Sequence, residues 1–359
     1  MRRALAAALA LLLAGCFPVR YVGQAVGGQV GILRAARPIP EAVRDGEVPA
    51  RTRLLLLAVP EIKAFGQTQG LRPTPSYRSY ADLRRPAAVW VVQACKPLSF
   101  DVRTWRLPVV GTIPYLGFFD PAEAHRHADA LAAAEGLDVD VRGASAYSTL
   151  GWFHDPVLST MIPEGPDALG ELANVVLHES VHATLYVNDQ SAFNESLANF
   201  VADRLTLPWL AHVLGPDAPE ARGWAKSLAT YRVRVARLRR AHDELDALYR
   251  SSASDDEKRA RKAEILAAVT SELGFKRPLN NALLAGYETY ESGTQGFARL
   301  LAACGGSFPR FMGTLSTLRE DDFTQPQQRQ FDDVLDRLAR DGCALAPPPS
   351  RGPEPGPYP

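Results

Sequence analysis

Neither sign of charge dominates this chain. Forty lysines and arginines meet 40 aspartates and glutamates, giving a formal net charge of zero and a pI near 7.1. That balance removes the electrostatic footprint of a nucleic-acid-binding surface. Cysteine is scarce: the four residues at 16, 95, 304 and 343 show no CxxC spacing, which argues against a cysteine zinc site. Long apolar runs are missing as well. Ala4 to Ala14 spans only 11 residues, too few to cross a bilayer, and no later stretch is a better candidate.

The short run still has a meaning. Arg2-Arg3 precede it and Leu13-Ala14-Gly15-Cys16 closes it, the pattern of a bacterial lipobox. Residues 1–15 are read as a lipoprotein signal peptide and Cys16 as the acylated first residue of the mature chain. Phe17, rather than Asp, follows Cys16, which in a cell with two membranes favours the outer membrane, facing the periplasm. The body is then tethered through Cys16. An exported compartment permits a disulfide among the other three cysteines, with Cys304–Cys343 the preferred pair. At the far end, Ala346 to Pro359 is too rich in proline to bury a core and is expected to be disordered.

Histidine is also sparse, seven in all, yet two of them stand four positions apart in Val175-Val176-Leu177-His178-Glu179-Ser180-Val181-His182-Ala183-Thr184. This is HExxH in apolar, proline-free sequence, which reads as a helix. Spacing of four puts both imidazoles on one helix face, where a zinc ion can accept both. Glu179 follows the first ligand, so its carboxylate can reach a metal-activated water without coordinating. A catalytic zinc needs a third protein ligand. The metzincin pattern requires glycine at 185 and histidine at 188, and Leu185 and Asn188 stand there instead. Downstream, Ser191 to Asp203 reads as a second helix, with Asp189 or Ser191 able to cap its start. A tight Val187–Gln190 connection makes the two helices antiparallel and brings Glu195 beside the histidines. The expected site is His178, His182 and Glu195 holding one Zn2+ per chain.

HExxH followed by Asn194-Glu195 on a second helix resembles the gluzincin metallopeptidases. The 12-residue gap between His182 and Glu195 is shorter than in thermolysin-like enzymes and is similar to that of a bacterial lipoprotein family labelled "putative aminopeptidase". The matching stretches cover most of the chain: Tyr21 to Ile39, Val109 to Phe119, Tyr147 to Leu158, the HExxH block with FNESLANFVAD, and Asn280 to Phe297. The resemblance implies an aminopeptidase acting on peptides. Thermolysin-like enzymes carry an Asp four residues after the ligand Glu, and Asn199 occupies that place here; Asn199 and Asp203 are both candidates to bind the outer imidazole N–H. In gluzincins a downstream Tyr or His helps hold the oxyanion, which points to Tyr290, with Tyr287 close behind. Glu171, Glu288 and Glu291 are the candidates for binding a substrate's α-ammonium.

The remaining pattern predicts an α+β, zincin-like fold: a small β-sheet, the HExxH helix, the Glu-ligand helix, and a largely helical C-terminal half. Residues 16–50 form a membrane-proximal helical segment and 51–345 a metallopeptidase domain. Helices are expected over 21–36 and 53–65, strands over 88–93, 109–119, 138–143 and 146–150, and a capped helix between Asp120 and Gly136. Ala144–Leu150 or Thr112–Phe118 could add a substrate strand at a sheet edge. Residues 221–273 read as a helical hairpin with a seam from Trp224 to Tyr249 and a capping box at Ser254 and Glu257. His242 on that seam is read as a core or partly exposed histidine rather than a ligand. Two other functions fit the same residues: an envelope zinc endopeptidase, and a non-catalytic metal-containing lipoprotein that binds a partner.

Overall fold

From Val89 the chain builds its main sheet, and that sheet sets up the layers around the site. A computed structural model describes residues 17–107, 111–147, 149, 153–291 and 293–343. Cys16, residues 1–15, read as a signal peptide, and the proline-rich tail lie outside the described residues. Helix α1 (Phe17–Ala35) is followed by β1 (Ala36–Pro38), α2 (Ile39–Arg44) and α3 (Ala50–Thr68), the last with Pro60 inside it. Strand β2 (Ser79–Ala81) pairs antiparallel with β1 and parallel with β8 (Val157–Leu158).

The second sheet has β3 (Val89–Cys95) at its centre, between β6 (Leu116–Phe118) and β7 (Asp138–Ala144), all antiparallel. Successive side chains of a strand point to opposite faces, and β3 is covered on both. Val92 and Ala94 pack with Leu116 and Phe118 under α4 (Pro121–Glu135), through Ala124, Ala128 and Leu131. Cys95 packs on the other side with α9 (Asn281–Glu291), through Ala282 and Ala285. Helix α4 starts and stops where its local sequence dictates. The Asp120 side chain accepts from Ala122 N, and Gly136 ends the helix in the left-handed region.

Two strand expectations are corrected. Of the strand expected over 109–119, residues 109 and 110 lie outside the described residues and 111–119 do not form one strand: β5 (Gly111–Ile113) pairs with β4 (Trp105–Leu107) in a separate ribbon, and β6 belongs to the main sheet. Pro114, which has no N–H to give a ladder, falls at the break. Ala146 and Tyr147 are not in a strand either.

The C-terminal half is helical: α5 (Ala168–Thr184), α6 (Ser191–Leu214), α7 (Pro219–Arg250), α8 (Asp255–Glu272), α9, α10 (Thr294–Ala303), α11 (Phe308–Leu315) and α12 (Asp332–Asp341). The HExxH helix α5 packs chiefly on α3, α6 and α7, while α9 stands between α6 and the sheet. Gly170 permits the α5–α7 approach, since a Cβ there would lie 2.9 Å from Trp224. Helices α7 and α8 make the expected hairpin, and Ser254 and Glu257 cap α8 reciprocally. The α7 seam is not continuous, however. Leu238, Leu245 and Tyr249 are buried against Ile265, Leu266 and Val269, whereas Tyr231 is 37% exposed. Helix α8 has 18 residues against the 32 of α7 and cannot cover its N-terminal half. Cys304 and Cys343 are disulfide-bonded, the preferred pair, and Cys95 is free and buried. Among the described residues no helix is long and apolar enough to cross a membrane.

Candidate metal centre

Helix α5 buries Val176, Leu177 and Val181 in the main core, which turns His178 and His182 toward α6. Helix α6 is buried all round from Ser191 to Ala198. Phe193, fully buried, anchors that turn among Phe297, Phe323 and Phe331. The connection between the helices is held by Asn194 rather than by either residue expected to cap α6. Val187 N donates to Asn194 Oδ1 at 2.9 Å and Asn194 Nδ2 donates to Val187 O at 2.7 Å. Neither Asp189 nor Ser191 caps the helix; Asp189 has a positive φ of 57° and its carboxylate accepts from Thr112 N.

The outcome is a convergence of three donors. His178 Nε2 and His182 Nε2 are 3.1 Å apart, and Glu195 Oε2 lies 3.4 and 3.6 Å from them. A tetrahedral ion with bonds of about 2.0–2.1 Å has ligand–ligand edges of about 3.3–3.4 Å, so the three separations fit one face of such a tetrahedron. Burial alone would raise the Glu195 carboxyl. The charges and hydrogen bonds of His182 and His178 outweigh it and hold the carboxyl far below the usual carboxylate range. Burial likewise works to lower His178, but its bond to Glu195, the charge of Glu179 and the Asn199 side chain raise it. Three groups arranged to share positive charge could hold a metal ion, and among the described residues they are the cluster of this kind. Two buried atoms beside them, Glu179 Oε2 and His182 Nδ1, have no hydrogen-bond partner among the described residues. Such orphans are rare in a core and suit a polar site.

Around the donors the roles sort out. Asn199 bonds His178, while Asp203 accepts from Asn174 Nδ2 at 3.0 Å, one layer further along the α5–α6 groove. Glu171 is half-buried at the far end of that groove. Tyr290, Glu288 and Glu291 fall on α9, and their side chains lie outside the described residues. Tyr287 packs against the hairpin cluster. His242 lies tilted against Phe100 with centroids 3.8 Å apart; it is half-buried and lines the cleft described below, the partly exposed histidine of the sequence reading.

Two tyrosines near the site escaped the sequence reading. Tyr115 O–H donates to Glu195 Oε1 at 3.4 Å. Its segment is pinned on both sides. Thr112 N is bound by Asp189, and Thr112 O accepts from Gln327 Nε2 at 2.5 Å. Gly117 N donates to Tyr21 Oη and Gly117 O accepts from Gln24 Nε2. The outer edges of β5 and β6 are therefore already taken, so the strand addition expected at Thr112–Phe118 has no free ladder there. Tyr77 is 5% exposed with a φ of 64°. Its N–H donates to Asp155 O at 2.6 Å, and Asp155 N donates to Ser76 Oγ. Burial raises the Tyr77 hydroxyl, and the charges of Glu179 and Asp155 act in the same direction, which places all three in one electrostatic neighbourhood. A cleft of about 870 Å³ runs between Phe100, Asp246 and Gln328 and reaches Pro114 and Ala192, the neighbour of Tyr115 and the residue one helical turn before Glu195.

Neither the curated proteins nor the solved structures yield a match to this chain. A family model does match, over residues 20–330, which takes in every residue of the centre described above. On that match the chain belongs to the family described as "Putative aminopeptidase".

Proposed function

We propose that this protein is a zinc-dependent peptidase, an aminopeptidase, in which His178, His182 and Glu195 hold the metal and Glu179 is the general base. The observation that carries this reading is the convergence of the three donors at 3.1, 3.4 and 3.6 Å, beside a buried carboxylate that does not join them. When bound, zinc supplies Lewis acidity, bringing the pKa of a water to about 7 and polarising the scissile carbonyl. Glu179 accepts a proton from the attacking water at its carboxylate oxygen and returns it to the leaving amine. Asn199 fixes the ring of His178, and Tyr115 engages the Glu195 oxygen turned away from the histidines. Tyr290, on the helix that packs against α6, is the proposed donor to the substrate oxyanion.

The occupied edges of β5 and β6 favour an exopeptidase over an endopeptidase, because a long extended substrate finds no backbone ladder beside Tyr115. We place the residues beyond the scissile bond in the cleft that Pro114 and Ala192 line. The protein works in the cell envelope, anchored through Cys16 and, in a two-membrane cell, at the outer membrane.

Elemental analysis tests the centre first. The protein should carry about one zinc, and Glu195→Ala should carry markedly less. Glu179→Gln should keep the metal and the fold while losing on the order of 100–10,000-fold in hydrolysis of aminoacyl p-nitroanilides. Undiminished hydrolysis by Glu179→Gln would sink the mechanism. An absence of metal after purification without chelator and back-titration with zinc would sink the centre.

A further inference from the structure

Helix α1 has one face that no part of the described protein covers. Val22, Val26 and Val30 are 44, 57 and 37% exposed and form one ridge. Gly23, Gly27 and Gly31 form the next, and a Cβ at any of them would meet nothing within 4 Å. No charged residue occurs between Arg20 and Arg34. The other face fixes the helix in rotation. Tyr21 packs edge-on against Phe118, Gln24 bonds both Gly117 O and Phe119 N, and a Cβ at Gly28 would overlap the Phe119 ring. Ile32 is buried in the main core. The valine ridge cannot turn inward without breaking these contacts. A water-facing helix normally interrupts such a face with charge.

The chain just before the helix indicates what covers it. Cys16 of the lipobox immediately precedes Phe17, the first residue of α1, so no linker separates an acyl anchor from the helix. A thioether lipid seated in a bilayer holds the first turn of α1 at the headgroups. The stretch from Val22 to Val30 then begins about 8 Å and ends about 20 Å from the start of α1 along the helix axis. Exposed Arg20 and Arg34 bracket it, at either end, with cationic groups suited to anionic headgroups.

We propose that the Val22, Val26 and Val30 face of α1 lies on the lipid surface as a second, interfacial contact beside the acyl chains. This rests on the lipoprotein reading of Cys16. Apolar area buried at the interface adds to the hold of the acyl anchor. It also orients the body, because the Tyr21, Gln24 and Gly28 face binds the β6 end of the main sheet.

The test uses the full chain, expressed with its own signal segment and reconstituted into phosphatidylethanolamine–phosphatidylglycerol vesicles. A bimane fluorophore is attached through Val26→Cys or, as a control, through Ser252→Cys in the exposed α7–α8 turn. Cys95 is buried and Cys304 and Cys343 are bonded, so the new thiol takes the label. Spin-labelled lipid should quench the label at position 26 several-fold more than the label at 252. Equal quenching at both, in a chain whose mass shows acylated Cys16, overturns the interfacial contact alone. Disulfide-linked dimers through Val26→Cys without lipid quenching assign the face to a second copy and also overturn it. A mature chain lacking the acyl group overturns the anchor and the proposal together.

Discussion

Asn194 grips both backbone groups of Val187, accepting from its N–H at 2.9 Å and donating to its C=O at 2.7 Å, in a buried turn. Glu195 is the next residue, so this clamp sets where the ligand carboxylate sits relative to His178 and His182. Asn194→Ala should strand a buried N–H and a buried C=O, at about 1–3 kcal/mol per orphaned group. It should also weaken zinc binding about 10–100-fold, as loss of a supporting hydrogen bond does at metal centres. Chelator competition reads the second effect and urea unfolding the first. Lower stability with unchanged zinc affinity would confine the clamp to folding.

Tyr115 acts on the same carboxylate from the opposite side. Its hydroxyl reaches Glu195 Oε1, which leaves Oε2 toward the imidazoles. Tyr115→Phe should keep the fold, because the segment is pinned through Thr112 and Gly117 rather than through the ring. Zinc affinity should fall about tenfold, which is about 1.4 kcal/mol. If affinity holds and only kcat falls, Tyr115 touches the substrate instead of positioning Glu195.

These two residues mark where the sequence was readable and where it was not. His178 and His182 follow from helical spacing alone, and Glu195 from two helices joined by a connection too short to let them diverge. The caps at Asp120, Gly136, Ser254 and Glu257 were legible because each partner lies within a few residues. Tyr115 was not, since 80 residues separate it from Glu195 and no local pattern encodes the approach. Residues 109–119 have strand composition throughout, but Pro114 and two different partner strands divide them. The α7 seam was drawn by its apolar spacing, whereas its burial depends on how far α8 extends. Asn194 stood in view beside the ligand. Its work became visible only with the backbone it holds.

The Cys304–Cys343 bond closes a loop with a sequence separation of 39 and ties the chain beyond α12 to the end of α10. Loop entropy in the unfolded chain makes such a link worth about 4 kcal/mol. A Cys304→Ser, Cys343→Ser double variant should lose on the order of 5–10 °C in Tm. Helices α10 and α12 pack on the α6 core through Phe297 and Leu335, so the loss should fall on stability and leave zinc affinity unchanged. A Tm unchanged under reduction would show that the bond adds nothing to the fold.

Lys63 offers a pH test of the loop that carries Tyr77. Its ammonium donates to Thr74 O at 2.7 Å and to Ser76 O. Burial, with the nearby charge of Arg78, lowers its pKa to about 8. In the unfolded chain a lysine titrates near 10.4. Between about pH 8 and 10.4 the unfolded state therefore holds more protons than the folded state, and stability from this group rises with pH. Below about pH 8 the cost of burying the charge is felt in full. Lys63→Met removes the titration while keeping most of the stem. The urea midpoint of the parent, measured relative to this variant, should climb between pH 7 and pH 9.5. A constant difference across that window would mean that Lys63 keeps an ordinary pKa and that burial does not strain its charge.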